Sequence, residues 1–136
     1  MGKALGIDYG AKRTGIAITD AMQIIASGLT TVPTHSLDDF LAEIVLKENI
    51  ECFVVGDPKN LDGTNTDSTL HVNRFIKRLQ RLYPTISLYQ IDERFTSKIA
   101  RETILASGVK KKERRNKSLV DEVSATIILQ NYLYSR

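Results

Sequence analysis

The first third of the chain places short, mostly apolar runs between turn-forming residues, and this pattern predicts three strands. The runs lie at residues 4–9, 14–19 and 26–32, and residues 10–13 form a turn between the first two. Strands this close together in sequence are typical of an antiparallel meander, because short turns can join antiparallel neighbours.

After residue 35 the pattern changes to one of alternating helices and strands. Ser36 and Asp39 form a capping-box pattern that predicts the start of a helix with an apolar face. Residues 52–55 are a short apolar run, typical of a strand buried in a parallel sheet. Residues 56–67 are rich in turn formers and predict a loop.

The second half of the chain predicts three helices and one strand. Residues 72–82 have apolar positions at helical spacing, and Pro84 ends that helix. The same helix carries a stripe of basic residues, Arg74, Lys77, Arg78 and Arg81. Residues 86–91 predict a strand, a helix should follow over about residues 96–107, and the last helix should begin at Ser118.

The predicted order of elements is βββαβαβαα, which indicates an α/β fold with a five-stranded mixed sheet flanked by helices. This is the RNase H-like arrangement. The sequence contains no internal repeat, low-complexity tract or Pro/Gly-rich linker, so we expect residues 1–136 to form a single domain with this RNase H-like arrangement.

Composition and charge narrow the class of partner. The chain has no apolar run of membrane-helix length, no secretion signal and one cysteine, so we expect a cytoplasmic protein with no membrane partner. The net charge of +3 is local, because residues 110–117 hold six basic residues and one acidic residue. Such a cluster is either a contact for a phosphate backbone or a solvated loop.

Three acidic residues stand out by position. Asp8 ends the first strand, Glu93 follows the fifth, and Asp121 lies in the first turn of the last helix. Sites in open α/β sheets collect beyond the carboxyl ends of strands. We therefore predict that these three residues are catalytic and that their oxygen atoms hold Mg²⁺ or Mn²⁺ for phosphodiester hydrolysis. Without a metal, at least one of their pKa values should rise, because close carboxylates repel.

Each acid also has a structural interpretation. Asp8 could begin the turn that follows it, Asp121 completes a capping-box pattern with Ser118, and Glu93 could pair with a neighbouring arginine. Asp92 and Glu93 are adjacent, so strand alternation should point them to opposite sides. We predict that Glu93 faces the site, although the spacing alone does not decide this.

Four short motifs follow one another over nearly the whole chain. They are Gly6-Ile-Asp-Tyr-Gly10 with Arg13-Thr-Gly-Ile-Ala-Ile-Thr-Asp20, Val54-Val-Gly-Asp-Pro58 with Asp62-Gly63, Asp92-Glu-Arg-Phe-Thr-Ser97, and Lys111-Lys112 leading to Val120-Asp-Glu-Val-Ser-Ala125. Together, in this order, they resemble the YqgF/RuvX family. The family is described both as Holliday-junction resolvases and as pre-16S rRNA nucleases. The resemblance implies a metal-dependent nuclease with strand order 3-2-1-4-5 and places the family's acids at Asp8, Glu93 and Asp121.

The resemblance also implies a partner. A nuclease of this family would trim the 5′ end of the small-subunit rRNA precursor, or it would resolve branched DNA. A resolvase should act as a homodimer that cuts two strands symmetrically, whereas an end-trimming nuclease can act as a monomer. The sequence leaves the substrate and the oligomeric state open.

Asp57 departs from the family, whose members usually carry an apolar residue there. In the implied strand order, the strand ending at Val55 lies between those that carry Asp8 and Glu93. These two acids therefore start roughly 10 Å apart, and Glu93 must lean inward to share a metal with Asp8. Asp57 is either an additional ligand or a turn former before Pro58.

Nucleic-acid contacts are expected from basic and polar residues near the acids. The predicted substrate-binding residues are Lys12, Arg13, Lys59, Asn60, Arg94, Lys110, Lys111, Lys112, Arg114 and Arg115. Phosphate contacts give an affinity that falls with salt and carry little sequence information, so recognition of shape is expected. The basic stripe of the helix at residues 72–82 either extends this surface or is the solvated back of that helix.

Two other functions compete with the nuclease. A nucleotide-binding domain of the actin and sugar-kinase type opens with a similar strand and turn, but it needs a second lobe that 136 residues cannot supply. A nucleic-acid-binding regulator without chemistry would explain the basic cluster but not the three acids.

Overall fold

The structure is a computed structural model that describes residues 2–59, 62–93 and 117–135, apart from the side chains of residues 117 and 118. The helix predicted at about residues 96–107 and the basic residues at 110–116 lie outside the described residues.

Five strands form a mixed sheet, and their order confirms the 3-2-1-4-5 order that the family resemblance implies. They are β1 (Lys3–Asp8), β2 (Arg13–Thr19), β3 (Ala26–Pro33), β4 (Ile50–Asp57) and β5 (Ser87–Asp92). The order across the sheet is β3-β2-β1-β4-β5. The first three strands form the predicted antiparallel meander, and β4 and β5 run parallel to β1.

Three α-helices of the described residues cover the two faces of the sheet. They are α1 (Leu37–Lys47), α2 (Asp67–Leu82) and α3 (Lys117–Ser135). Alternation along β1 sends Leu5 and Ile7 to the core beneath α1 and α2, whereas Ala4 packs with Ala125 and Leu129 of α3. None of the helices in the described ranges is long and apolar enough to cross a membrane.

The start of α1 differs from the capping box predicted at Ser36. A 3₁₀ turn, Thr34–Ser36, precedes the helix, and Ser36 makes no side-chain cap bond; its Oγ lies 3.2 Å from His35 Nδ1. The prediction was wrong because an N-cap residue normally has an extended backbone, whereas the 3₁₀ turn gives Ser36 φ −102° and ψ 2°. A capping box is found at α2 instead, where the Thr66 N–H donates to Thr69 Oγ1 at 2.9 Å.

The strand β4 is longer than the apolar run at residues 52–55. It continues through Gly56 and Asp57, which pair with Ile91 and Asp92 of β5. The loop predicted at residues 56–67 therefore begins too early, because residues 56 and 57 still belong to the strand. This extension places Gly56 and Asp57 inside the sheet, beside the end of β1.

Candidate active site

Asp8 ends β1 on the face of the sheet that α3 covers. Residues 4, 6 and 8 share this face by alternation, and Ala4 is fully buried against α3. Glycines lie on both neighbouring strands: Gly15 pairs with Asp8 on β2, and Gly56 follows the β4 partner of Ile7. The absence of side chains at these two positions lets other groups approach Asp8 closely.

Glu93 follows β5, and its side chain lies over Gly56. A Cβ atom on Gly56 would come within 2.6 Å of Glu93 Cγ and Oε2, so a larger residue would displace this side chain. The carboxyl group crosses β4 in this way and forms a hydrogen bond with Asp8. The Glu93 N–H also donates to the Asp57 carbonyl oxygen at 3.0 Å. The inward lean that the strand order requires of Glu93 is present.

The Asp8–Glu93 pair has strongly altered acidity. Burial, the hydrogen bond to Asp8 and the negative charge of Asp8 together raise the pKa of Glu93 to about 10. Burial also raises the pKa of Asp8, and the charge of Asp121 adds to this rise, while the hydrogen bond from Glu93 opposes it. Glu93 is thus the protonated partner at neutral pH and donates to Asp8, as expected for crowded carboxyl groups.

Asp121 lies next to this pair, but Arg13 binds its carboxylate. The helix α3 crosses β2 at Gly15, where any Cβ atom would collide with the backbone carbonyl of Asp121. Arg13 Nε donates to Asp121 Oδ2 at 2.9 Å. Within the described ranges, no three histidine, cysteine or carboxylate side chains are grouped closely enough to hold a metal ion. Of the three predicted acids, Asp8 and Glu93 therefore form a hydrogen-bonded pair, and Arg13 holds Asp121 beside that pair.

Asp57 and Asp92 belong to the opposite face of the sheet. They pair in register, and alternation places them with Val55 and Leu88, which pack toward α1 and α2. Asp57 Oδ2 lies 3.6 Å from Lys59 Nζ. This placement argues against Asp57 as an additional ligand beside Asp8, and it is Glu93 rather than Asp92 that reaches Asp8.

The turn that carries Lys12 and Arg13 is anchored to the end of β3. Thr34 Oγ1 donates to the Gly10 carbonyl oxygen at 2.6 Å, and the Thr34 N–H donates to the Lys12 carbonyl oxygen at 2.9 Å. Lys12 is exposed in this turn, and Lys59 Nζ donates to Asn65 Oδ1 at 2.7 Å in the loop after β4. The other predicted substrate contacts lie outside the described residues; they are Asn60, Arg94, Lys110, Lys111, Lys112, Arg114 and Arg115.

Sequence reasoning missed the two glycines beside Asp8. Gly15 admits the backbone of α3, and Gly56 admits the Glu93 side chain. A usable signal was present, because a glycine inside a strand pattern often marks the close approach of another group. The Arg13–Asp121 ion pair gave no such signal, since it joins residues 108 positions apart.

The Asp8–Glu93 pair fits a hard divalent cation. Mg²⁺ is usually bound through one or two carboxylates together with substrate oxygens and water. A cation between Asp8 and Glu93 would replace the shared proton and offset the burial and the neighbouring negative charges that raise both pKa values. These two residues would therefore hold the metal, with Asp121 close enough to act on Asp8 by its charge.

Comparison with known sequences gives one family. The model of the RuvX family, described as Holliday junction resolvase, matches residues 2–135. A relative from Flavobacterium johnsoniae is 52% identical over all of this chain and 99% of its own length. A relative from Phocaeicola vulgatus is 51% identical over all of this chain and 98% of its own length. Both carry the name "Putative pre-16S rRNA nuclease".

Comparison with solved structures gives the fold. Thermus thermophilus RuvC in complex with a Holliday junction substrate is similar at a TM-score of 0.62, with 16% identity over all of this chain and 96% of that one. A second structure of this RuvC has a TM-score of 0.56, with 14% identity over 98% and 95% of the two chains. At such identities the likeness shows the fold alone, and this is the RNase H-like fold that the order of elements predicts.

Proposed function

The chain belongs to the RuvX family, and on that premise we propose that it is a metal-dependent nuclease that hydrolyses phosphodiester bonds in structured nucleic acid. The observation that carries the proposal is the Asp8–Glu93 pair, in which two carboxyl groups from strands that are not neighbours share one proton. Crowded acids of this kind are unfavourable unless a cation or a reaction uses them. We further propose that the chain acts as a single domain and that it acts in the cytoplasm.

The chain's own residues would bind and orient the substrate around this pair. Asp8 and Glu93 would hold Mg²⁺ or Mn²⁺, which when bound supplies an activated water and stabilises the leaving oxygen. Gly56 keeps the Glu93 side chain over β4, and the Asp57 carbonyl fixes the Glu93 backbone. Lys12, Arg13 and Lys59 would contact the phosphate backbone on either side of the acids, and Arg94 and the basic residues at 110–115 would extend that contact.

We propose the 5′ end of pre-16S rRNA, in a small-subunit precursor, as the substrate. Relatives about half identical to this chain over its full length carry that name, which supports this choice. The second candidate is a DNA four-way junction, supported by the description of the family. The first substrate requires only a monomer, whereas paired cuts in a junction require a homodimer.

Cleavage of both substrates by one preparation tests the proposal. End-labelled precursor rRNA and a DNA four-way junction are incubated with wild type, Asp8→Asn and Asp57→Asn, in Mg²⁺, Mn²⁺ or EDTA. We expect RNA cleavage that is lost in EDTA and falls at least ~100-fold in Asp8→Asn, while Asp57→Asn cleaves nearly as wild type does. Paired cuts in the junction alone would support resolution instead. Binding of both substrates without cleavage under any metal would support the regulator without chemistry.

A further inference from the structure

We propose that Arg13 is a positioning residue that holds Asp121 away from the Asp8–Glu93 pair until a substrate phosphate takes the place of Asp121 on the guanidinium. Asp121 is then free to turn toward a cation held by Asp8 and Glu93. This inference rests on the proposed nuclease function and adds an order of assembly to it: substrate contact completes the metal site.

The Arg13–Asp121 ion pair is placed for such an exchange. It joins the first residue of β2 to α3, with 2.9 Å between Nε and Oδ2. The two side chains are 37% and 24% exposed, so a ligand can reach the pair from solvent. Nε carries only one of the five N–H donors of a guanidinium, and the terminal donors can contact a phosphate before Asp121 is released.

The position of Asp121 makes it a third ligand once it is released. Its backbone lies directly on Gly15, and Gly15 is the residue that pairs with Asp8 on β2. In the free protein an unpaired Asp121 would add the full charge of a third carboxylate to the pair, and the Arg13 guanidinium offsets part of this repulsion. With substrate bound, the guanidinium pairs with a phosphate and Asp121 pairs with the cation, so each of the two groups exchanges one oppositely charged partner for another.

Metal binding to variants of the full chain tests the exchange without any cleavage. Free Mn²⁺ is measured by electron paramagnetic resonance for wild type, Arg13→Gln and Lys12→Gln; the last removes a charge from the same turn but not the ion pair. We expect Arg13→Gln to bind Mn²⁺ about five-fold more tightly than wild type, and Lys12→Gln to differ by less than about two-fold. On an Asp121→Asn background, Arg13→Gln should have no effect. Equal affinities for Arg13→Gln and Lys12→Gln, or a gain that persists without Asp121, would overturn the proposal.

The reciprocal measurement uses nucleic acid without metal. In EDTA, a fluorescent RNA duplex should bind Asp121→Asn about five-fold more tightly than it binds Glu122→Gln, because only the former frees Arg13. Similar affinities for these two variants would count against the exchange.

The Mn²⁺ titration also separates this inference from the proposed function. If Mn²⁺ binding depends on Asp8 but not on Arg13, the exchange fails and the nuclease proposal stands. If Asp8→Asn binds Mn²⁺ as wild type does, both fail.

Discussion

The two strands beside Asp8 each carry a glycine, Gly15 on β2 and Gly56 on β4, and each glycine makes space for a different group. A side chain at Gly15 would meet the backbone of α3, whereas a side chain at Gly56 would meet the flexible Glu93 side chain. Moving a helix backbone costs more free energy than turning one side chain aside. Substitutions at these two residues should therefore separate the function of the site from the stability of the fold.

The substitution Gly56→Ala should damage the site and spare the fold. The new methyl group displaces Glu93 from Asp8, so Mg²⁺ affinity measured by calorimetry should fall at least about ten-fold, while the free energy of unfolding changes by less than ~1 kcal/mol. Gly28→Ala, on β3, is the matched control. Its methyl group would also displace a glutamate side chain, because it would come within 2.6 Å of the Glu122 carboxyl group, but it would leave Glu93 in place. Equal Mg²⁺ affinity in the two variants would show that Glu93 does not need the space above Gly56.

Glu93 should also give the metal-free protein a stability that falls as pH rises. Its pKa is about 10 in the fold against an ordinary value of 4.5, so the folded chain binds the extra proton between these values. Stability is then lost through that window, by up to about 1.4 kcal/mol per pH unit. Glu93→Gln should remove most of this slope and stabilise the protein at alkaline pH, as measured by denaturant unfolding in EDTA.

The control for this slope is Asp92→Asn, which changes the neighbouring carboxylate on the other side of the strand. This variant should keep most of the pH dependence, because burial and Asp8 are the larger causes of the raised pKa. A slope that survives in Glu93→Gln would mean that another group binds the proton.

At the scale of elements, the contact of α3 with β2 brings the two ends of the chain together at Asp8. Gly15→Ala should therefore lower the free energy of unfolding by about 1–3 kcal/mol or more, since the Asp121 carbonyl has to move. Denaturant unfolding measures this free energy for Gly15→Ala, with Gly28→Ala as the control. A Gly15→Ala variant as stable as wild type would mean that α3 can shift without loss.

The sequence predicts these elements far better than it predicts their contacts. Hydrophobic periodicity and turn residues are local properties, so the order of strands and helices could be read directly, and with it the positions of Asp8 and Glu93 at strand ends. The capping box at Ser36 failed because a 3₁₀ turn competes for the same residues. The inward lean of Glu93 follows from the strand order, and Gly56 is its local sign in the sequence. The ion pair of Arg13 with Asp121 depends on how distant segments meet, and no local pattern encodes it.

At the scale of the whole molecule, the sheet separates the acids from the basic stripe of α2. The acids lie on the α3 face, whereas α2 covers the other face with α1. Arg78 of the stripe is already used within the fold, because its Nε lies 3.1 Å from Asp38 Oδ2 and its guanidinium lies 5.4 Å from the centre of the Phe75 ring. This arrangement favours the interpretation of the stripe as the solvated back of its helix.

Nucleic-acid binding should therefore tolerate changes in that stripe. The combined variant Arg74→Gln, Lys77→Gln and Arg81→Gln should bind a labelled RNA duplex within about two-fold of wild type at moderate salt. Lys12→Gln, although it removes only one charge, should weaken binding more and make the salt dependence less steep. A larger loss in the triple variant, measured by fluorescence anisotropy, would place α2 on the binding surface.

The central claim is that Asp8 and Glu93 exchange a shared proton for a divalent cation. The most direct measurement is calorimetry of Mg²⁺ binding near neutral pH in two buffers with different heats of ionisation, which counts the protons released. Wild type should release close to one proton for each Mg²⁺ bound, and Asp8→Asn should lose most of its affinity. Mg²⁺ binding without proton release, or with equal affinity in Asp8→Asn, would contradict the assignment of the metal site to this pair.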